Sequence, residues 1–260
     1  MCMMGVDNNS AVGCKDDHKN SRKNRREKRR RQQHKSGFAK GLLRRVVSTL
    51  IFLVGVSIMV YAGSMLWTDW QDDLQARGEY SDLRDTFQRD RDSVDWSAIN
   101  PDYVGWISIP GTRINYPIVQ GQDNDKYLHT TFSGQFLPAG AIFMDYRVTD
   151  RFDAHTTMIY GHNMRDGSMF AGLNAYLDSA FIRQNPEVII TTPDGEVLTY
   201  QIFFARKVYA RDPVYTLDFK RPETAQYFQN APEGATQFLL LSTCTDDGND
   251  DARTMVYAAR

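Results

Sequence analysis

TQFLLLSTCT (236–245) and ARTMVYAA (252–259) decide the architecture. Each is a short run of aliphatic, β-branched and aromatic residues, and the polar turn DDGNDD (246–251) lies between them. The pair reads as two closing strands. Working outward, EVIITTPDGEVLTYQIFFARKVYA (187–210) reads as a hairpin with Asp194-Gly195 at its turn. AGAIFMDYR (139–147) and TTMIYGH (156–162) read as single strands. GWISIPGTRINYPIVQ (105–120) alternates β-rich runs with Pro-Gly punctuation, which predicts another hairpin. MFAGLNAYLDSAFIRQN (169–185) reads as a helix stopped by Pro186, and RPETAQYFQNA (221–231) as a helix with Pro222 in its first turn. Many short strands with two or three helices predict a mainly β domain closed into a barrel.

The chain has 260 residues, 42% hydrophobic and 24% charged, an ordinary globular mixture with room for one sizeable domain and extras. Collagen-like, mucin-like and wholly disordered chains are excluded, and three cysteines are too few for a disulfide scaffold. The formal net charge of −1 conceals two opposed blocks. Residues 15–45 hold 14 Lys/Arg against 3 Asp/Glu, and residues 46–260 hold 17 against 28. The blocks are therefore +11 and −11, and Asp7 supplies the remaining charge.

Between them VVSTLIFLVGVSIMVYAGSMLW (46–67) carries no charged residue over 22 positions. As a helix it would cover about 33 Å, enough for a hydrocarbon core of about 30 Å. Tyr61 and Trp67 stand near its outer end, where an aromatic belt is expected, and Arg44 and Arg45 at its inner edge. The positive-inside rule then puts residues 1–45 in the cytoplasm and 68–260 outside. Trp67-Thr68-Asp69-Trp70 is a poor signal-peptidase site, so the span reads as an uncleaved single-pass anchor. RKNRREKRRR (22–31) could serve as a nucleic-acid arm, but its place before a span favours a tail drawn to anionic membrane lipids. No nucleic acid is expected as a partner. Cys2 and Cys14 are then cytoplasmic and reduced. In 68–95, Leu74, Tyr80, Leu83 and Phe87 recur at roughly helical spacing, which predicts one or two amphipathic helices linking membrane to domain.

Cys244 is the only cysteine beyond the span, so an oxidising compartment offers it no intrachain partner there. It is either buried and inert or kept for its reactivity. It ends an apolar strand and meets a polar turn, where a β scaffold presents a catalytic side chain. A nucleophilic thiol needs an imidazole nearby. His129, His155 and His162 are available, and His162 also ends a β-rich run and enters a polar turn, YGHNMRDG. Arg253 follows nine residues after Cys244, and a hairpin would return it beside the cysteine. A guanidinium there could hold a developing oxyanion; the plain alternative is a surface pair with Asp250 or Asp251. With no CxxC pair, HExxH or Gly-rich phosphate loop, neither metal nor cofactor is implied.

These residues carry a resemblance. LSTC (241–244) resembles the sortase signature that ends in the nucleophilic cysteine. IYGHNM (159–164) with GSMF (167–170) resembles the histidine segment of class B sortases, and DAR (251–253) their arginine segment. INPDYVGWISIPGTRINYPIVQGQDNDKYLHTTF (99–132) is similar to their first strands, and AGAIFMD (139–145) continues the pattern. The resemblance covers about residues 95–260. One departure is Leu240, where the common signature has Thr.

The resemblance implies the sortase eight-stranded β-barrel, with N-terminal helices and a helix in the connection before the catalytic strand (about 211–235). It implies Cys244 as nucleophile, His162 as general acid and base, and Arg253 as oxyanion stabiliser. Asn124 and Leu128, in DNDKYL, and Ser242 match positions that line the substrate groove. The implied reaction is cleavage after Thr in a sorting motif of the NPxTx or (S/N)PxTG kind. A thioester follows, and then transfer to a peptidoglycan precursor amine of the lipid II type. Sorting-signal-bearing surface proteins are the implied clients. The division is then 1–45 cytoplasmic tail, 46–67 anchor, 68–95 helical linker and 96–260 catalytic domain. Asp246, Asp247, Asp250 and Asp251 read as a solvated turn, not a calcium loop. A class C-like pilus polymerase and a non-catalytic membrane-anchored binding protein are the rival readings.

Overall fold

The computed structural model describes residues 13–217, 226–245 and 251–260. The chain divides into two compact units, Met1–Trp67 and Thr68–Arg260. The helix α1 (Gly13–Asp90) contributes to both. Within the segment Leu43–Asp90 an 18-residue window has mean hydropathy 2.2 and none of it is buried. It is the one helix, among the described residues, long and apolar enough to cross a membrane.

The second unit holds α2 (Trp96–Ile99), β1 (Tyr103–Ser108), β2 (Asn115–Val119), β3 (Ile142–Met144) and β4 (Thr156–Tyr160). It continues with α3 (Ser179–Gln184), β5 (Glu187–Thr191), β6 (Val197–Tyr209), β7 (Phe238–Cys244) and β8 (Ala252–Ala259). The eight strands close a barrel in the order β1-β2-β3-β4-β7-β8-β6-β5. Both expected hairpins form, with β1 antiparallel to β2 and β5 antiparallel to β6. Two neighbours are parallel, β2 with β3 and β4 with β7. A parallel pair needs a crossover, so the long stretch between β4 and β7 must travel round the barrel and return.

The continuous apolar run of β7 follows from burial on both faces. Leu239 and Leu241 enter the barrel core with Val256 and Ala258. Leu240 faces the other way, into a second cluster with Met158, Val208, Val214, Met255 and Tyr257. The first half of β6 alternates instead, with Leu198, Tyr200 and Ile202 buried between exposed neighbours, as for a strand with one wet face.

The end of α1 belongs to the barrel unit. Ala76 and Tyr80 are buried in its core, and Leu83 and Phe87 pack against it. Their spacing of four, three and four makes one helical stripe. Phe87 stacks on Trp106 with ring centroids 4.0 Å apart. Leu74, expected on that stripe, is exposed, because Ala76 holds the inward position one turn before Tyr80. The single helix expected over 169–185 is two: a 3-10 helix, Ala171–Leu177, and α3. Asp178 separates them, since its side chain accepts from Ala180 N at 2.8 Å and caps α3. The helix expected over 221–231 falls partly outside the described residues; within them Gln226–Phe228 form a 3-10 turn.

Candidate active site

Cys244 is the last residue of β7 and stands directly opposite Arg253 of β8. On the other flank of β7, Tyr160 of β4 is level with Ser242, and Gly161 N donates to Ser242 O at 3.2 Å. His162 follows immediately. Side chains alternate across a strand. Leu240, Ser242 and Cys244 therefore share the outer face of β7, Arg253, Met255 and Tyr257 that of β8, and Met158 and Tyr160 that of β4. Leu240, Met255, Tyr257 and Met158 are indeed together in the outer cluster. The sequence-predicted Cys244 and Arg253 thus come from adjacent strands, and His162 from the turn two residues past the strand on the other flank of β7.

His162 is half-buried and its Nε2 lies 2.7 Å from the Leu128 carbonyl. A carbonyl only accepts, so Nε2 carries the proton and Nδ1 is left as the basic nitrogen. Burial is the main force pushing the imidazole below its ordinary value; the Leu128 carbonyl opposes it, and His129 and Arg253 add to it. The ring therefore rests neutral at pH 7. The His129 ring lies 6.1 Å away. Arg253 is half-buried, with its Nη1 donating to the Ala252 carbonyl at 2.9 Å.

The expected groove residues fare differently. Ser242 is 3% exposed, and its Oγ is 2.8 Å from the Tyr215 hydroxyl. Leu128 contributes its carbonyl to His162, while its side chain packs on the core. Asn124 is drawn inward: its amide donates to Asp145 Oδ2 at 3.0 Å and its oxygen accepts from Tyr146 N at 3.1 Å. Asp246, Asp247 and Asp250 lie outside the described residues.

Sequence reasoning passed over four residues. Asn174, on the crossover, donates to the Cys244 carbonyl at 3.2 Å and accepts from Thr254 Oγ1. It ties the ends of β7 and β8 where Cys244 and Arg253 sit. Tyr215 stands over Ser242, and its ring stacks on Tyr160 with centroids 6.4 Å apart. Burial pushes its hydroxyl up to about 12, so it remains neutral. Asp145 has no exposed surface and meets Arg147 through both oxygens, at 2.8 and 2.7 Å. Burial pushes its carboxyl up, but the Arg147 contacts, with Tyr160 and Asn124, outweigh this and hold it below the usual range. Arg147 also donates to the Tyr215 carbonyl at 2.9 Å. Asp145 and Arg147 had a visible signal: an acid and a base two apart at the end of an apolar strand. Asn174 and Tyr215 had none beyond lying in connections.

A cavity of about 770 Å3 reaches the cysteine, lined by Cys244, Thr245, Thr112, Arg113, Asn163 and Arg165 among others. A half-buried thiol thus borders an open cleft. That arrangement suits a covalent acyl carrier meeting two reactants.

Comparison with known proteins agrees. A sortase domain profile matches residues 107–260. Sortase B of Listeria monocytogenes is 34% identical over 180 residues, covering 64% of this chain and 72% of the relative. Sortase B of Staphylococcus aureus is 29% identical over 233 residues, covering 82% and 95%. The solved Staphylococcus aureus sortase B–substrate complex superposes with TM-score 0.63 at 30% identity, covering 73% of this chain and 97% of that one. The closed barrel, the cysteine at the end of its seventh strand and this likeness along most of the chain together make it a member of the sortase family of cysteine transpeptidases, similar to sortase B.

Proposed function

We propose that the chain is a membrane-anchored transpeptidase that cleaves a sorting motif of the NPxTx or (S/N)PxTG type after Thr and joins the new carboxyl end to a peptidoglycan amine. One observation carries the reading most directly: Cys244 and Arg253 are cross-strand partners, whose Cβ atoms in such pairs lie about 4.5–5.5 Å apart. A guanidinium at that distance can reach an oxygen bonded to the carbon that the sulfur attacks.

In this mechanism the Cys244 sulfur attacks the Thr carbonyl as its proton passes to Nδ1 of His162. The oxyanion is held by Arg253. Collapse breaks the peptide bond, and His162 returns the proton to the leaving amine, which leaves a thioester. An amine of a lipid II-type precursor then attacks the thioester, its proton goes to His162, and the thiol is released. The energy of the peptide bond is kept in the thioester, so no nucleotide is needed. Asn124, Leu128 and Ser242 belong to the groove for the sorting peptide as its support, Ser242 lying beneath Tyr215.

Residues 46–67 are the anchor, with 1–45 cytoplasmic, 68–95 the helical approach and 96–260 the catalytic domain outside the cell. Anchoring holds both substrates and the enzyme at one surface, which raises their effective concentration. The test is to incubate the full-length protein in detergent micelles with a sorting-peptide library and two amines, one oligoglycine and one diamino acid. Products cut after Thr and bearing the added amine are expected. Cleavage elsewhere, or products unchanged by Cys244→Ala, would overturn the proposal.

A further inference from the structure

Tyr80, Glu79 and Arg77 lie on the part of α1 that enters the barrel unit, and their side chains bond to the two loops flanking His162. Tyr80 is buried; its hydroxyl donates to the Gly140 carbonyl at 2.6 Å and accepts from Phe132 N at 3.3 Å. The Glu79 carboxylate accepts from Thr131 Oγ1 at 2.8 Å and Ser133 N at 3.0 Å. Gln75 donates to Gln135 at 2.5 Å. These contacts pin the loop 128–140.

That loop doubles back on itself, with Leu137 N on the His129 carbonyl and Ala141 N on the Tyr127 carbonyl, at 2.9 and 3.0 Å. Gly140 therefore lies on top of Leu128, whose carbonyl holds His162. Arg77 reaches the loop on the other side of the histidine. Its Nε is 2.6 Å from Asp166 Oδ2, and Asp166 accepts from Ser168 N and Ser168 Oγ at 3.0 and 2.6 Å. Phe170 N closes this loop on the His162 carbonyl at 2.8 Å.

Apolar packing through Ala76, Tyr80, Leu83 and Phe87 holds the helix on the barrel, but it leaves a gap on the side facing Asp166. A cavity of about 510 Å3, lined by Ala76, Arg77, Tyr80, Tyr116, Asp166 and Met169 among others, runs between the helix and the barrel. Where side chains do not interlock, hydrogen bonds of defined direction set position. We propose that Tyr80 and Glu79, with Arg77, are positioning residues of the reaction: the helix arriving from the membrane clamps both loops and so aims the His162 ring. This rests on the reading of His162 as the proton carrier. Its consequence is that the helical segment carrying residues 77–80 helps assemble the active site and does more than connect the barrel to the anchor.

The test uses the full-length protein in detergent micelles with nitrogen-15-labelled histidine. The Nε2 proton of His162, identified by its loss in His162→Gln, should exchange slowly in the wild type because the Leu128 carbonyl holds it. Tyr80→Phe and, independently, Glu79→Ala should speed that exchange at least about tenfold. They should also lower the maximal rate of thioester formation by about tenfold to a hundredfold with little change in KM. Tyr176→Phe, which removes a comparable hydroxyl-to-carbonyl bond to Asn185 elsewhere, should lower the melting temperature and leave the exchange alone. Variants that melt earlier yet keep wild-type exchange and rate would overturn the clamp. Should Tyr80→Phe not fold, Glu79→Ala decides. A wild type that forms no thioester with any peptide would sink the functional reading, while the exchange measurement would still judge the clamp.

Discussion

Gly140→Ala should damage the site from a position that touches no substrate. Gly140 has φ +54, and a Cβ there would meet Tyr127 O at 2.5 Å, Leu128 O at 2.6 Å and Leu128 C at 2.9 Å. All three are backbone atoms, so no side chain can swing away. The left-handed conformation alone costs a non-glycine residue about 1–2 kcal/mol. To lengthen these contacts even to about 3.0 Å the 3-10 turn carrying Leu128 must retreat by about half an ångström, adding strain of about 1–2 kcal/mol. A loss of about 2–4 kcal/mol lowers the melting temperature by roughly 5–15 °C in a unit of this size. The displaced atom is the carbonyl that holds Nε2 of His162. Misplacing a catalytic group by an ångström costs about a hundredfold, so half of that predicts a loss of about tenfold in thioester formation. Gly134→Ala is the control: its φ is +85 but nothing lies within 4 Å, so it should cost about 1 kcal/mol and leave the rate unchanged. Melting curves and single-turnover acylation of both variants decide it. A wild-type rate in Gly140→Ala would refute the idea that the Leu128 carbonyl aims the histidine.

Four further outcomes are expected. Cys244→Ala should abolish cleavage of every sorting peptide with the fold intact by circular dichroism; residual turnover above about one per cent would show that the sulfur is dispensable. Arg253→Lys should slow thioester formation by about a hundredfold to a thousandfold, roughly 2.7–4 kcal/mol, because an ammonium cannot reproduce the planar fork. A wild-type acylation rate would reduce Arg253 to a surface cation. Because burial, then His129 and Arg253, depress the His162 imidazole, its neutral form survives further into acid than in an ordinary histidine. The acid limb of the acylation rate should therefore lie below about pH 6.5, and a limb above that value contradicts a neutral base. By the same sign, the contribution of His162 to stability is complete above that pH and declines as the pH falls toward the depressed value. Protease added to intact cells should remove the barrel and spare the basic tail; a protected barrel would reverse the orientation.

Strand positions were legible because burial leaves a periodic trace. FLLL read as part of a closing strand, and Phe238–Cys244 forms one. Asp194-Gly195 marked a hairpin that forms as expected. What the sequence left open is where a side chain acts through a partner distant in the chain. Asn124 is a groove residue by pattern, yet a buried Asp145 draws its amide inward. Ala76 gave no amphipathic signal, yet it is buried where Leu74 is not. Asn174 is seventy residues from Cys244, and only the crossover brings the two together.

Topology explains why three residues far apart in sequence meet so economically. A parallel β4–β7 pair aligns the carboxyl ends of both strands, so whatever follows Tyr160 emerges beside whatever follows Ser242. An antiparallel β7–β8 pair aligns the end of one strand with the start of the next, so Cys244 faces Arg253. The cysteine needs to be central for both neighbours to reach it, and β7 is the strand between β4 and β8. Parity does the rest, because a one-residue slip of β7 would turn Cys244 into the barrel and move Leu239 and Leu241 from the barrel core to the outer face. The apolar residues that fill the barrel therefore also fix which way the thiol points. Register, and hence the chemistry, is held by Leu239 and Leu241 inside and Leu240 outside.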